Sequence, residues 1–67
     1  MSPKVTQLIE YNVQDVVKII ATEKACSVAS AMRAFYASKV YAGLADPETG
    51  LYLESPSYLY ELYQRMG

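Results

Sequence analysis

The chain has no histidine, no tryptophan, one cysteine, and only three glycines scattered over 67 residues. Each shortage removes a class of chemistry. Without histidine no side chain titrates unperturbed near neutral pH, and no Ser-His or Cys-His pair can activate a nucleophile. Cys26 has no second cysteine to bridge, and with no histidine in the chain a structural zinc ion has no ligand set. Scattered glycines do not make a phosphate-cradling loop. The carboxylates Glu10, Asp15, Glu23, Asp46, Glu48, Glu54 and Glu61 form no paired constellation suited to acid–base work. No apolar run approaches the roughly 18 residues of a membrane-spanning helix, and Met1-Ser2-Pro3-Lys4 lacks the charged-then-apolar order of a signal peptide. We therefore expect a non-enzyme with no cofactor, no metal, no small-molecule substrate and no membrane span. A lone thiol suits a reducing, cytoplasmic setting. Cys26 would gain thiolate character if it opened the second helix, although a buried structural thiol is the commoner situation.

Basic residues are also few. The net charge is −1, and it hides an asymmetry. Residues 1–40 carry five basic and three acidic side chains, and residues 41–67 carry one basic and four acidic.

What is present is a high apolar fraction, 52%, and seven tyrosines among eight aromatic residues. A domain this small buries only about 60% of the surface its unfolded chain exposes. With neither disulfide nor metal to assist, self-association is the remaining way to enlarge the core. Four tyrosines lie beyond residue 50. Seven phenol rings with every hydroxyl satisfied do not fit inside such a core, so some rings should sit half-wet or against another molecule.

The periodicity predicts an all-α domain spanning residues 1–67, a small bundle of three to four helices at about 3–24, 27–37, 38–45 and 56–66. Ser2-Pro3 is a good helix start. Val5, Leu8, Ile9, Val13, Val16, Val17, Ile19 and Ile20 then recur at helical spacing over an arc of roughly 180°, wider than the ~100° one packing surface needs. The first helix is therefore expected to lie between its own chain and something else. Asn12 falls near the middle of this arc. Either it bonds a nearby backbone group, or it pairs across a symmetric helix contact and fixes the register.

Ser27 can cap a second helix whose face carries Val28, Ala31, Met32, Phe35 and Tyr36. An unbroken continuation would drive Lys39 into that face. We infer a break near Ala37-Ser38, with Ser38 capping a third helix that carries Val40, Tyr41 and Leu44; one long bent helix is the alternative. Asp46-Pro47-Glu48-Thr49-Gly50 is a tight turn. Leu51–Glu54 alternates like a short extended piece, and Ser55-Pro56 opens the last helix, with Leu59, Leu62, Tyr63 and Met66 inward. Phe35, Tyr36 and Tyr63 are expected on core faces and Tyr11 on the polar side of the first helix. Tyr41, Tyr52, Tyr58 and Tyr60 have no evident internal role and, with Asn12, are the candidate protein-contact residues.

Several short helices in 67 residues also match the size of a helix-turn-helix module, with Arg33 and Lys39 as the groove-facing cations. Phosphate neutralisation dominates DNA affinity, and this basic set is thin.

The segments Glu23-Lys24-Ala25-Cys26-Ser27-Val28, Ala31-Met32, Phe35-Tyr36-Ala37-Ser38-Lys39-Val40-Tyr41, Asp46-Pro47-Glu48-Thr49-Gly50-Leu51-Tyr52 and Tyr58-Leu59-Tyr60-Glu61-Leu62 resemble a family of short bacterial helical proteins, a domain of unknown function, over residues 10–63. The resemblance implies a cytosolic helical module found beside toxin–antitoxin-like partners, with no active-site residue to carry over. The expected function is a small non-catalytic interaction or regulatory module, antitoxin-like and self-associating, with a dimer or a protein partner. The alternative is a helix-turn-helix DNA-binding regulator.

Overall fold

Pro3 opens the first helix, where its fixed φ suits the first turn and its missing N–H is not needed. The computed structural model describes residues 3–66, so the capping role expected of Ser2 lies outside the described residues. Four helices follow one another, with no strand among the described residues: α1 (Pro3–Glu23), α2 (Val28–Tyr36), α3 (Lys39–Ala45) and α4 (Pro56–Met66). Two 3-10 turns, Pro47–Thr49 and Leu51–Leu53, join α3 to α4. The 34 Å long dimension of the molecule is close to the length of α1, whose 21 residues rise about 31 Å. The other three helices each contact α1.

The core contains Ile9, Val13, Val16, Val17 and Ile20 from α1, Ala31 and Phe35 from α2, Val40 and Leu44 from α3, and Leu59 from α4. The wide apolar arc of α1 is covered within the chain, because α1 packs against α2, α3, α4 and the 51–53 turn. Leu8 and Ile19, at one edge of the arc, are half-buried.

Each junction is set by a few residues. Ala25 adopts a left-handed φ of 51° and ends α1 as glycine usually does. The Cys26 N–H then reaches back to the Ala21 carbonyl at 3.1 Å, the long bond of a Schellman cap. Ser27 caps α2, its Oγ accepting from the Ser30 N–H at 3.1 Å. Ser38 serves two helices. Its hydroxyl donates to the Phe35 carbonyl at 2.6 Å, and its oxygen accepts from the Tyr41 N–H at 3.2 Å. The break this creates turns Lys39 out to solvent and lets Val40 and Leu44 enter the core.

The 51–53 segment is not extended, contrary to its alternating pattern. Gly50, at φ 70°, reverses the chain, and Leu53 and Glu54 donate backbone bonds to Gly50 and Leu51 at 3.0 Å each. The Thr49 hydroxyl lies 2.6 Å from the Gly43 carbonyl and 2.9 Å from that of Asp46. Gly43 has no side chain to obstruct Leu51, whose Cδ1 lies 2.8 Å from where a Cβ on residue 43 would stand. Ser55 accepts from the Tyr58 N–H at 3.2 Å and opens α4.

Candidate functional site

Among the described residues, three of the seven exposed large apolar side chains lie along one helix, and the others, Tyr11, Leu53, Tyr58 and Met66, are spread over α1, the 51–53 turn and α4. In α2, Ala31 and Phe35 are fully buried while Val28, Met32 and Tyr36 are exposed by 52%, 37% and 47%. The expectation that Met32 and Tyr36 belong to the core face is therefore corrected. At 100° per residue Met32 and Tyr36 lie about 60° and 100° round from the buried Phe35, at the uncovered edge of the α2 arc, while Val28, only about 20° from Phe35, is exposed in the first turn of the helix. Spaced at i, i+4 and i+8, they make one continuous ridge.

A groove runs beside this ridge, between α2 and α1. It comprises two adjoining depressions of about 250 and 310 Å³. Glu10, Val13 and Tyr36 line one, and Val17, Lys18 and Val28 line the other; Gln14 and Met32 line both. The helices are therefore antiparallel here, with Glu10 and Tyr36 at one end and Lys18 and Val28 at the other. Val13 and Val17, the floor, are already nearly covered. The wettable apolar area belongs to the α2 wall, and the facing α1 wall is Glu10, Gln14 and Lys18. An exposed apolar ridge rimmed by polar side chains is the usual signature of a contact surface.

The residues expected to form the contact patch are placed differently. Asn12 is buried, and its Nδ2 donates to the Tyr52 carbonyl at 2.7 Å. Its amide thus ties α1 to the 51–53 turn within one chain, which is the backbone-bonded arrangement. Tyr41 does have an internal role. It is half-buried, edge-on to Phe35 at 5.8 Å and to Tyr36 at 4.8 Å. Tyr52 and Tyr60 are half-buried against the core, and Tyr60 stacks on Tyr63 at 6.4 Å while its hydroxyl accepts from Gln64. Of the four rings only Tyr58 is exposed, by 41%. Tyr63 packs inward on Phe35 at 6.0 Å, Tyr11 is exposed as its position on α1 predicts, and Met66, expected inward, is 51% exposed at the end of α4. After the two-residue junction the first turn of α3 brings Tyr41 against both Phe35 and Tyr36, while Tyr36 itself stays at the open edge of α2.

Arg33 and Lys39, the cations of the DNA-binding alternative, are both exposed. On α3 the exposed positions are Lys39 and Ala42, so that helix offers one positive charge outward. Cys26 is half-buried and packs against the core in the turn before the Ser27 cap, outside α2 itself. Among the described residues, no three Cys, Asp or Glu side chains converge as metal ligands. No helix among them is long and apolar enough to cross a membrane. Comparison with protein-family models, with curated proteins and with solved structures gave no match.

Proposed function

We propose that this chain is a non-catalytic interaction module that self-associates through the α1–α2 face, in a reducing compartment such as the cytoplasm. One observation carries the reading: the continuous ridge Val28, Met32 and Tyr36, left open beside a groove in a molecule with few other means of enlarging its core. Burying the ridge removes apolar surface from water at about 25 cal/mol per Å², and a single cysteine cannot close a disulfide within the chain to supplement the core. The unpaired Cys26 supports the reducing setting.

Sedimentation equilibrium over roughly 1 µM to 1 mM, the range of weak protein contacts, tests the reading. The expected result is a concentration-dependent rise from 7.5 kDa toward twice that mass. Met32→Glu places a charge on the ridge without loss of helix propensity and should abolish the rise, whereas Tyr58→Glu should leave it intact. A wild-type chain that stays monomeric throughout overturns the proposal. DNA reading by α2–α3 is the weaker alternative, since one outward cation on α3 gives little phosphate neutralisation.

A further inference from the structure

The two walls of the groove share a pattern that specifies what fits it. On α1, Glu10 and Lys18 stand four residues either side of Gln14, with opposite charge. On α2, Val28 and Tyr36 stand four residues either side of Met32, one small and one large. Gln14 and Met32 face each other across the groove, since both line its two depressions. The midpoint of each pattern therefore lies at the same level.

Resting on the self-association proposed above, we infer that the α1–α2 face packs on the same face of a second copy, helix on helix and groove over groove, related by a two-fold axis that crosses the groove through Gln14 and Met32. Such an axis lies in the contact plane, perpendicular to α1. It lays α1 antiparallel on the partner's α1 and α2 antiparallel on the partner's α2. Gln14 and Met32 each meet their own counterpart. Glu10 faces Lys18 of the partner subunit and Lys18 faces Glu10 of the partner subunit, giving two symmetry-related ion pairs. Val28 faces Tyr36 of the partner subunit, so the small side chain accommodates the ring. The contact is isologous, with one surface complementary to itself, as closed dimers require.

The other in-plane two-fold runs along the helices and lays α1 on the partner's α2. It would leave Glu10 and Lys18 opposite Tyr36 and Val28, with neither charge paired. Charge complementarity selects the crosswise axis. A foreign amphipathic helix could fill the trough, but nothing about it would require opposite charges balanced around Gln14.

Charge exchange tests the axis. Glu10→Lys alone and Lys18→Glu alone each replace two attractions by two like-charge contacts. Each should weaken the dimer about ten-fold or more at low salt, with less effect as salt screens the rim. The double variant, Glu10→Lys with Lys18→Glu, restores both pairs with the signs exchanged and should recover wild-type association. Circular dichroism checks that each variant remains helical. In a Cys26→Ser background, Met32→Cys should cross-link to a covalent dimer on mild oxidation.

If the single variants associate as tightly as wild type, or the double variant is as weak as the singles, the axis is wrong although self-association stands. A wild-type monomer removes both the axis and the reading it rests on. Dimerisation unaffected by Met32→Glu would place the contact elsewhere and likewise overturn the axis.

Discussion

Removing the Ser38 hydroxyl should destabilise the fold by about 2 kcal/mol, more than any exposed cap in the molecule. Ser38 is 7% exposed and makes two bonds that serve different helices. Loss of an N-cap oxygen costs typically about 1 kcal/mol. Loss of the donor to the Phe35 carbonyl adds a buried hydrogen bond, about 1 kcal/mol more, because that oxygen lies in a dry part of the core where water is a poor substitute. Ser27 is the internal control. It is an exposed cap that bonds Ser30 alone, so Ser27→Ala should cost roughly 0.5–1 kcal/mol. Thermal or urea unfolding followed by circular dichroism reads the difference. In a domain of this size 1 kcal/mol corresponds to about 4–8 °C in Tm, so Ser38→Ala should melt about 10 °C lower than wild type. All chains must be compared at one concentration, since a self-associating protein melts higher when concentrated. If Ser38→Ala costs no more than Ser27→Ala, the double role of this hydroxyl is wrong, and the junction is held by the packing of Val40 and Leu44.

Three further outcomes follow from the same structure. Ala25→Gly should stabilise by about 0.5–1 kcal/mol in urea unfolding, because release from the left-handed penalty exceeds the added entropy of an unfolded glycine; a loss of stability would refute the strain at φ 51°. Asn12→Ala should cost about 2 kcal/mol by leaving the Tyr52 carbonyl without its partner, and amide exchange should show faster opening of the 51–53 turn than of α2. Mixed-sequence DNA should show no electrophoretic shift that weakens steeply with salt, since α3 turns only Lys39 outward among charged residues; such a shift would restore the helix-turn-helix reading.

Much of the fold is legible in the residues because their local and global demands agree. Ser38 can be found from sequence: an unbroken helix would bury Lys39, and a serine one residue earlier offers the cap that prevents it. Ser27, Gly50 and Ser55-Pro56 mark the other boundaries in the same way. The 51–53 turn is missed because alternation over four residues suits a strand or an irregular turn equally well, and the left-handed Gly50 decides between them. The site is harder to read. Val28, Met32 and Tyr36 lie on an apolar helix face, and periodicity alone cannot say which edge of that face a neighbour covers. That depends on how α1 and α3 dock against α2. Ring placement is thus a tertiary fact, and reading Tyr36 as core and Tyr41 as free inverts the two. Tyr52 and Tyr60 join the core through a turn and a helix whose docking no local pattern reveals.

We propose the α1–α2 face as the surface where this chain meets its own copy. Backbone amide NMR spectra recorded across a concentration series test it residue by residue. Shifts and broadening should concentrate at Glu10, Gln14, Lys18, Val28, Met32 and Tyr36, while Tyr52, Tyr58 and Tyr60 stay constant. Changes confined to Tyr58 and its neighbours on α4, with the α1–α2 groove unaffected, would contradict it.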